Sequence, residues 1–175
     1  VCELFNKEWD YNKYINLKTQ YNCYKKNIPT AGAMIHYHEN NEIYMLLVRN
    51  NRARVFSLPK GKQDYKEETI KEVAIREVLE ETGLDISSYI NNEHLLCSGQ
   101  DLSDGSEVDE IEEATKHYIC KSVIYDVQLH EKVSHFENYD DGEIVDIKWV
   151  QCENILANPQ LYSRQVKTAC QILLD

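Results

Sequence analysis

The sequence predicts an α/β fold in which one mixed β-sheet carries helices on both of its faces. Three observations predict it. Segments of strand and helix character follow the order strands, helix, strands, helices, which suits a mixed sheet covered on both sides. The chain has 175 residues, 42% hydrophobic and 28% charged, enough for one domain with a sizeable core. No internal repeat, low-complexity tract or apolar run of membrane-spanning length interrupts that pattern.

Residues 7–27, "KEWDYNKYINLKTQYNCYKKN", place Tyr14, Leu17, Tyr21 and Tyr24 at helical spacing with lysines between them. They predict an amphipathic helix that ends before Pro29 and packs on the domain that follows. "TAGAMIHYH" and "EIYMLLVRN" read as two strands joined by the turn-like "ENN". "VFSLPKGK" reads as a short strand running into a Pro-Gly loop. A helix follows over 68–82, closed by Gly83 as its left-handed C-terminal residue. "DISSYINNEHLL" is expected to form a turn and the start of a strand. Residues 101–113, "DLSDGSEVDEIEE", are acidic with little apolar content, and they predict a solvated loop or disordered insertion. "HYICKSVIYDV" and "EIVDIKWV" then read as strands, and "CENILANPQL" and "SRQVKTACQILLD" as a short and a longer helix.

Net charge is −11, whereas proteins that bind nucleic acid on their own usually present a basic face. The chain as a whole therefore argues against tight RNA or DNA binding and leaves room only for a local exception. The six cysteines show no CxxC and no close pairing, and no N-terminal signal pattern is visible. They are expected to be reduced thiols in a cytoplasmic protein. The six histidines are dispersed and do not suggest a metal site.

The helix in "AIREVLEETGLDI" poses the main question. At about 100° per residue, Ile70, Val73, Ala74 and Val78 share one side of it. Glu77 and Glu81 project into the middle of that apolar arc, and Glu80 lies at its edge. Carboxylates among apolar neighbours are costly unless compensated. Three fates are open: the arc faces water, the acids pair with a base such as Arg76, or they hold a hard divalent cation. One arginine cannot neutralise three acids. The loop just upstream favours the cation, because Gly61 allows close backbone approach and Lys60 and Lys62 flank it, as suits a phosphoanhydride substrate.

"GKQDYKEETIKEVAIREVLEETGL" resembles the Nudix box at Gly61, Glu68, Arg76, Glu77, Val78, Glu80, Glu81, Gly83 and Leu84. Six residues separate Gly61 from Glu68, where the family has five. The extra residue is expected in the loop "QDYK"; if Glu67 were the family's glutamate instead, the helix register would be disturbed. The resemblance implies an α/β/α Nudix sandwich and hydrolysis of a phosphoanhydride with Mg²⁺ or Mn²⁺. It implies that Glu77, Glu80 and Glu81 are metal ligands or the base that activates water, that the Gly61 carbonyl coordinates metal, and that Arg76 orients a glutamate.

"YKKNIPTAGAMI", "FSLPKGK", "EETGLDISSYI" and "EIVDIKWV" are similar, in this order, to the catalytic domain of mRNA-decapping enzymes. That similarity implies that Glu143 completes the metal site or serves as base, and that Lys62 contacts the cap phosphates. It also implies a division into residues 1–27, an N-terminal helical remnant of a regulatory region, and residues 28–175, the hydrolase domain. The substrate implied is capped mRNA, cleaved to 7-methylguanosine diphosphate and 5′-monophosphate RNA. A decapping activator is a partner the resemblance suggests, although its docking domain is expected to be missing here. No membrane association is expected. Two other readings remain: a Nudix hydrolase of dinucleoside polyphosphates, diphosphoinositol phosphates or nucleotide sugars, and a non-catalytic Nudix binding module.

Overall fold

A computed structural model describes residues 29–65, 67–97, 121–137 and 142–175. The helix expected over 7–27 and the acidic segment 101–113 lie outside the described residues.

Strands β1 (Thr30–Glu39) and β2 (Glu42–Asn50) form a hairpin in which Glu39 faces Glu42 and His36 faces Met45. Asn40 and Asn41 turn it with φ of 52° and 63°, a left-handed conformation that asparagine tolerates and that matches strand twist. Strands β3 (Lys60–Lys62), β4 (Ile90–Cys97), β5 (Lys121–Gln128) and β6 (Ile144–Gln151) complete one sheet of order β4-β5-β1-β2-β6, with β3 on β1. β1 and β5 run parallel and the other pairs antiparallel, so the sheet is mixed.

Both faces are covered. Ala31, Ala33 and Ile35 pack towards helix α1 (Ile70–Thr82), which contributes Ile70, Val73, Ala74 and Val78. On the opposite face Met34, Met45, Leu47 and Ile124 meet Ile155 of α2 (Cys152–Ala157) and Val166, Ala169 and Cys170 of α3 (Arg164–Leu174). Residues 31–37 are consequently buried without alternation, as expected of a central strand. The architecture is the α/β/α sandwich.

Local chemistry sets the ends of α1. The Thr69 hydroxyl caps the helix by accepting from the Glu72 N–H (3.1 Å), and it donates to the Glu72 carboxylate (3.1 Å). The cap leaves Glu68 just outside the helix. Gly83, at φ 80°, closes the other end by donating its N–H to the Leu79 carbonyl (2.8 Å). The "VFSLPKGK" segment is less regular than expected. Only Lys60–Lys62 forms a strand, with single bridges at Phe56 and Ser57, because Pro59 has no N–H to donate to a ladder. The Pro59 carbonyl instead accepts from the Ala33 N–H at 3.1 Å. A side chain at Gly32 would stand 2.1 Å from that carbonyl, so this glycine is what lets the loop sit against β1. The expected helix at 152–161 ends at Ala157, and Pro159–Leu161 forms a 3-10 turn.

Candidate active site

The Pro-Gly loop brings Gly61 directly against α1. A Cβ built on Gly61 would fall 2.0 Å from Cδ of Glu77 and 2.2 and 2.3 Å from its two oxygens. The carboxylate of Glu77 thus occupies the space that any side chain at 61 would fill. One turn further along α1, the buried Glu81 accepts the Lys60 N–H at 3.0 Å. Sequence spacing placed Glu77 and Glu81 in the apolar arc, and the loop is what receives them there.

Arg76 organises the rest. Its Nε donates to Glu68 Oε1 (2.5 Å), its Nη2 to the Lys62 carbonyl (2.8 Å) and its Nη1 to Glu77 Oε1 (3.0 Å). Nη1 also reaches Glu80 (3.2 Å) and Asp64 (3.2 Å). One guanidinium therefore serves four carboxylates, more than the sequence suggested, and Glu81 is bound by the backbone instead. The Glu68 contact also decides the register: buried Glu68 pairs with Arg76 and exposed Glu67 points to solvent, so the extra residue is absorbed in the loop. The sequence did not single out Asp64, and it pointed to Glu68 only through the Nudix-box resemblance. The helix begins at Ile70, two residues later than the expected 68, so both precede it and a helical wheel does not place them.

Burial pushes the Glu68 carboxyl upward, but the Arg76 hydrogen bond, the Asp64 N–H (3.0 Å) and the Arg76 charge together hold it below the usual range. Glu77 is raised, first by burial and further by the negative charges of Glu80 and Asp64, against the pull of Arg76. Burial lowers Lys60, opposed by Glu81 and Glu77 and assisted by Lys62. Arg76 stays charged because Glu68 and Glu77 outweigh the effect of its burial. Glu143 is exposed at the start of β6, and its carbonyl accepts the Asn51 N–H at 2.7 Å. No described contact joins its carboxylate to the α1 cluster. Lys62 is exposed and Lys60 half-buried at the rim.

Asp64, Glu68, Glu77, Glu80 and Glu81 outnumber the cations Arg76, Lys60 and Lys62. No group of three or more His, Cys, Asp or Glu among the described residues is already gathered at metal-binding geometry; Glu77 and Glu80 bond Arg76, and Glu81 accepts the Lys60 N–H. The donors nevertheless fit a hard divalent cation: they are oxygens only, in negative excess, beside a glycine cradle.

A family model described as the NUDIX domain matches residues 26–171. The chain belongs to the Nudix family. This Nudix domain is 38% identical over 96 residues to mRNA-decapping enzyme subunit 2 of Saccharomyces cerevisiae (strain YJM789), a match covering 55% of the chain but 9% of that protein. The chain therefore spans under a tenth of the length of this relative. Its fold is similar to that of an Ap4A hydrolase binary complex of C. elegans (TM-score 0.53, 18% identity, 74% of this chain and 84% of that one). It is also similar to a bifunctional NMN adenylyltransferase/ADP ribose pyrophosphatase of Francisella tularensis complexed with AMP and a Mn ion (TM-score 0.57, 19% identity, 93% and 46%). At such identities the likeness is one of fold alone. Nudix hydrolases generally use divalent metals such as Mg²⁺ or Mn²⁺.

Proposed function

We propose that this Nudix hydrolase is of the mRNA-decapping type: it opens the phosphoanhydride bridge of the 5′ cap and releases 7-methylguanosine diphosphate and 5′-monophosphate RNA. The observation that carries the cap as substrate is the 38% identity to a decapping enzyme over 96 residues. Hydrolysis itself is supported by the carboxylate cluster around Arg76 and Gly61, an arrangement that a mere scaffold would not keep at the cost of crowding charge. The proposal includes a cytoplasmic setting.

Mg²⁺ or Mn²⁺ would be held by Glu77, Glu80, Glu81 and the Gly61 carbonyl, with Glu143 as a further oxygen donor. When bound it offsets charge developing on the phosphate oxygens and makes a bound water more acidic. Within the chain, Arg76 fixes Glu77 through Oε1 and leaves Oε2 unengaged by the guanidinium. One of the glutamates takes the proton of the attacking water at a carboxylate oxygen. Lys62 and Lys60 at the rim supply positive charge towards the phosphates. The leaving phosphate departs as the 5′ end of the RNA.

The net charge of −11 favours a second reading, a Nudix hydrolase of small nucleotides such as dinucleoside polyphosphates, which need no basic track. Cap-labelled RNA and diadenosine tetraphosphate, assayed side by side with Mg²⁺ or Mn²⁺ and with chelator, separate the two. Release of 7-methylguanosine diphosphate, abolished by chelator, is the expected result. Dinucleotide hydrolysis without cap release would overturn the decapping assignment, and no turnover of either substrate would return the chain to a binding role.

A further inference from the structure

An acidic protein that handles RNA needs positive charge somewhere near its site. The stretch "RNNRAR", residues 49–54, puts Arg49, Arg52 and Arg54 within six positions of a chain that has 30 acidic and 19 basic residues. Arg52 and Arg54 are exposed and Arg49 is half-buried. Among the described residues none of the three guanidinium groups engages a carboxylate, whereas Arg76 engages four. In a chain so rich in acids, three arginines that engage no carboxylate among the described residues, one ending β2 and two in the loop after it, point to a partner outside it.

The loop is built rather than slack. The Asn50 side chain accepts the Arg52 N–H at 2.8 Å and the Asn50 carbonyl accepts the Ala53 N–H at 3.0 Å. Asn51 donates to the Glu143 carbonyl at 2.7 Å. The returning arm pairs Ser57 with Val48 through two hydrogen bonds of 2.8 and 2.9 Å, and Phe56 bonds Leu161 and Ser163 at 2.9 Å each. Lys148 of β6 adds a fourth cation, its ammonium 4.2 Å from the Phe56 ring centre. Cations held on a fixed backbone lose little entropy on binding.

The placement suits the substrate. β2 runs antiparallel to β1 and ends at Asn50, at the edge of the sheet where β1 begins and β3 carries Gly61. Arg54 and Lys60 are six positions apart, a span of at most about 20 Å. Arg49 and Lys148 share the Leu47 side of the sheet, towards α2 and α3, so Arg52 and Arg54 are the loop's own cations.

We infer that the β2–β3 loop, through Arg52 and Arg54, binds the phosphate backbone of the RNA downstream of the cap. The inference rests on the decapping reading for its substrate. Single-stranded RNA presents a regular row of phosphates that guanidinium groups bind bidentately, and this row explains how a chain of net charge −11 accepts a polyanion.

The test is the double variant Arg52→Ala/Arg54→Ala in the full chain, with Arg52→Lys/Arg54→Lys as the charge-preserving comparison and circular dichroism to verify the fold. For capped RNA, the alanine variant should raise KM about tenfold with kcat retained, and should make the dependence of log affinity on log salt shallower by about 1.4. The lysine variant should restore the salt slope. Hydrolysis of a cap dinucleotide that lacks RNA should be unchanged in all forms. An unaltered KM and salt slope in the alanine variant overturns the inference and leaves decapping intact. Failure of the wild type to release cap overturns decapping instead. Fluorescence anisotropy with an uncapped 5′-monophosphate RNA then tests the loop alone: weaker binding by the alanine variant supports the inference and equal binding overturns it. Polyglutamate that competes with this RNA as an equal would overturn the assignment to RNA in favour of an acidic protein partner.

Discussion

Replacing Gly61 by alanine separates the catalytic reading from a purely structural one. The new methyl would lie 2.0 Å from Glu77 Cδ. Ordinary carbon–carbon contact is about 3.5 Å, so the carboxylate must retreat by about 1.5 Å. The group in the way is the tip of a half-buried, flexible side chain and not backbone, so the fold should accommodate the change at a cost of about 1 kcal/mol or less. The melting temperature should stay within about 4 °C of wild type. Catalysis should not survive as well, because a displacement of about 1 Å in a reacting group costs about a hundredfold in rate, or 2.7 kcal/mol of barrier. Steady-state hydrolysis with Mg²⁺ or Mn²⁺, beside a thermal melt of the same sample, reads both quantities. A Gly61→Ala protein that keeps wild-type kcat would refute the assignment of Glu77 to the site. One that unfolds would refute the claim that only a movable carboxylate stands there.

Gly32→Ala is the contrasting case: its methyl would meet the Pro59 carbonyl oxygen at 2.1 Å and Lys60 Cα at 2.7 Å, both backbone, so the melt should show a loss of about 3 kcal/mol together with the activity. Glu81→Gln keeps the shape that accepts the Lys60 N–H but removes a charge, and kcat should fall at least about a hundredfold with the melting temperature preserved. Glu72→Gln, which retains the Thr69 cap on the residue-72 N–H, is its silent control. Glu68→Gln weakens the main partner of Arg76, and chemical denaturation at neutral pH should show a loss of about 2 kcal/mol. Because the native Glu68 pKa lies below its unfolded value of about 4.3, this contribution is present above that pH and disappears as pH falls through the native pKa, so wild type and variant should converge only in acid.

Much of α1 was legible before any coordinates. Its apolar spacing, the Thr69 and Gly83 caps and the three glutamates are local, and each needs only neighbours within a turn or two to take effect. The β1–β2 hairpin was equally local, because its turn and its two apolar runs are contiguous. The middle of "VFSLPKGK" was harder to read: Pro59 and Gly32, 27 positions apart by their residue numbers, settle jointly how the loop docks. The Arg76 hub was half visible. Glu77 and Glu80 share its helix, but Asp64 and Glu68 arrive from a loop whose path depends on β3 pairing with β1.

By itself, then, the sequence determined the α1 helix and the β1–β2 hairpin, which carboxylates that helix aims inward, and the family to which the pattern belongs. Tertiary structure alone decided the strand order β4-β5-β1-β2-β6, the parallel pairing of β1 with β5, the contact of Glu77 with Gly61, and the gathering of four carboxylates on one arginine. It also decided that the contiguous stretch "RNNRAR" sits at the end of β2, beside the end of the sheet where β1 begins. The physical reason is one of range. Periodicity and capping act over a few residues and are written into adjacent letters, while register and charge placement depend on which distant segments the core brings together.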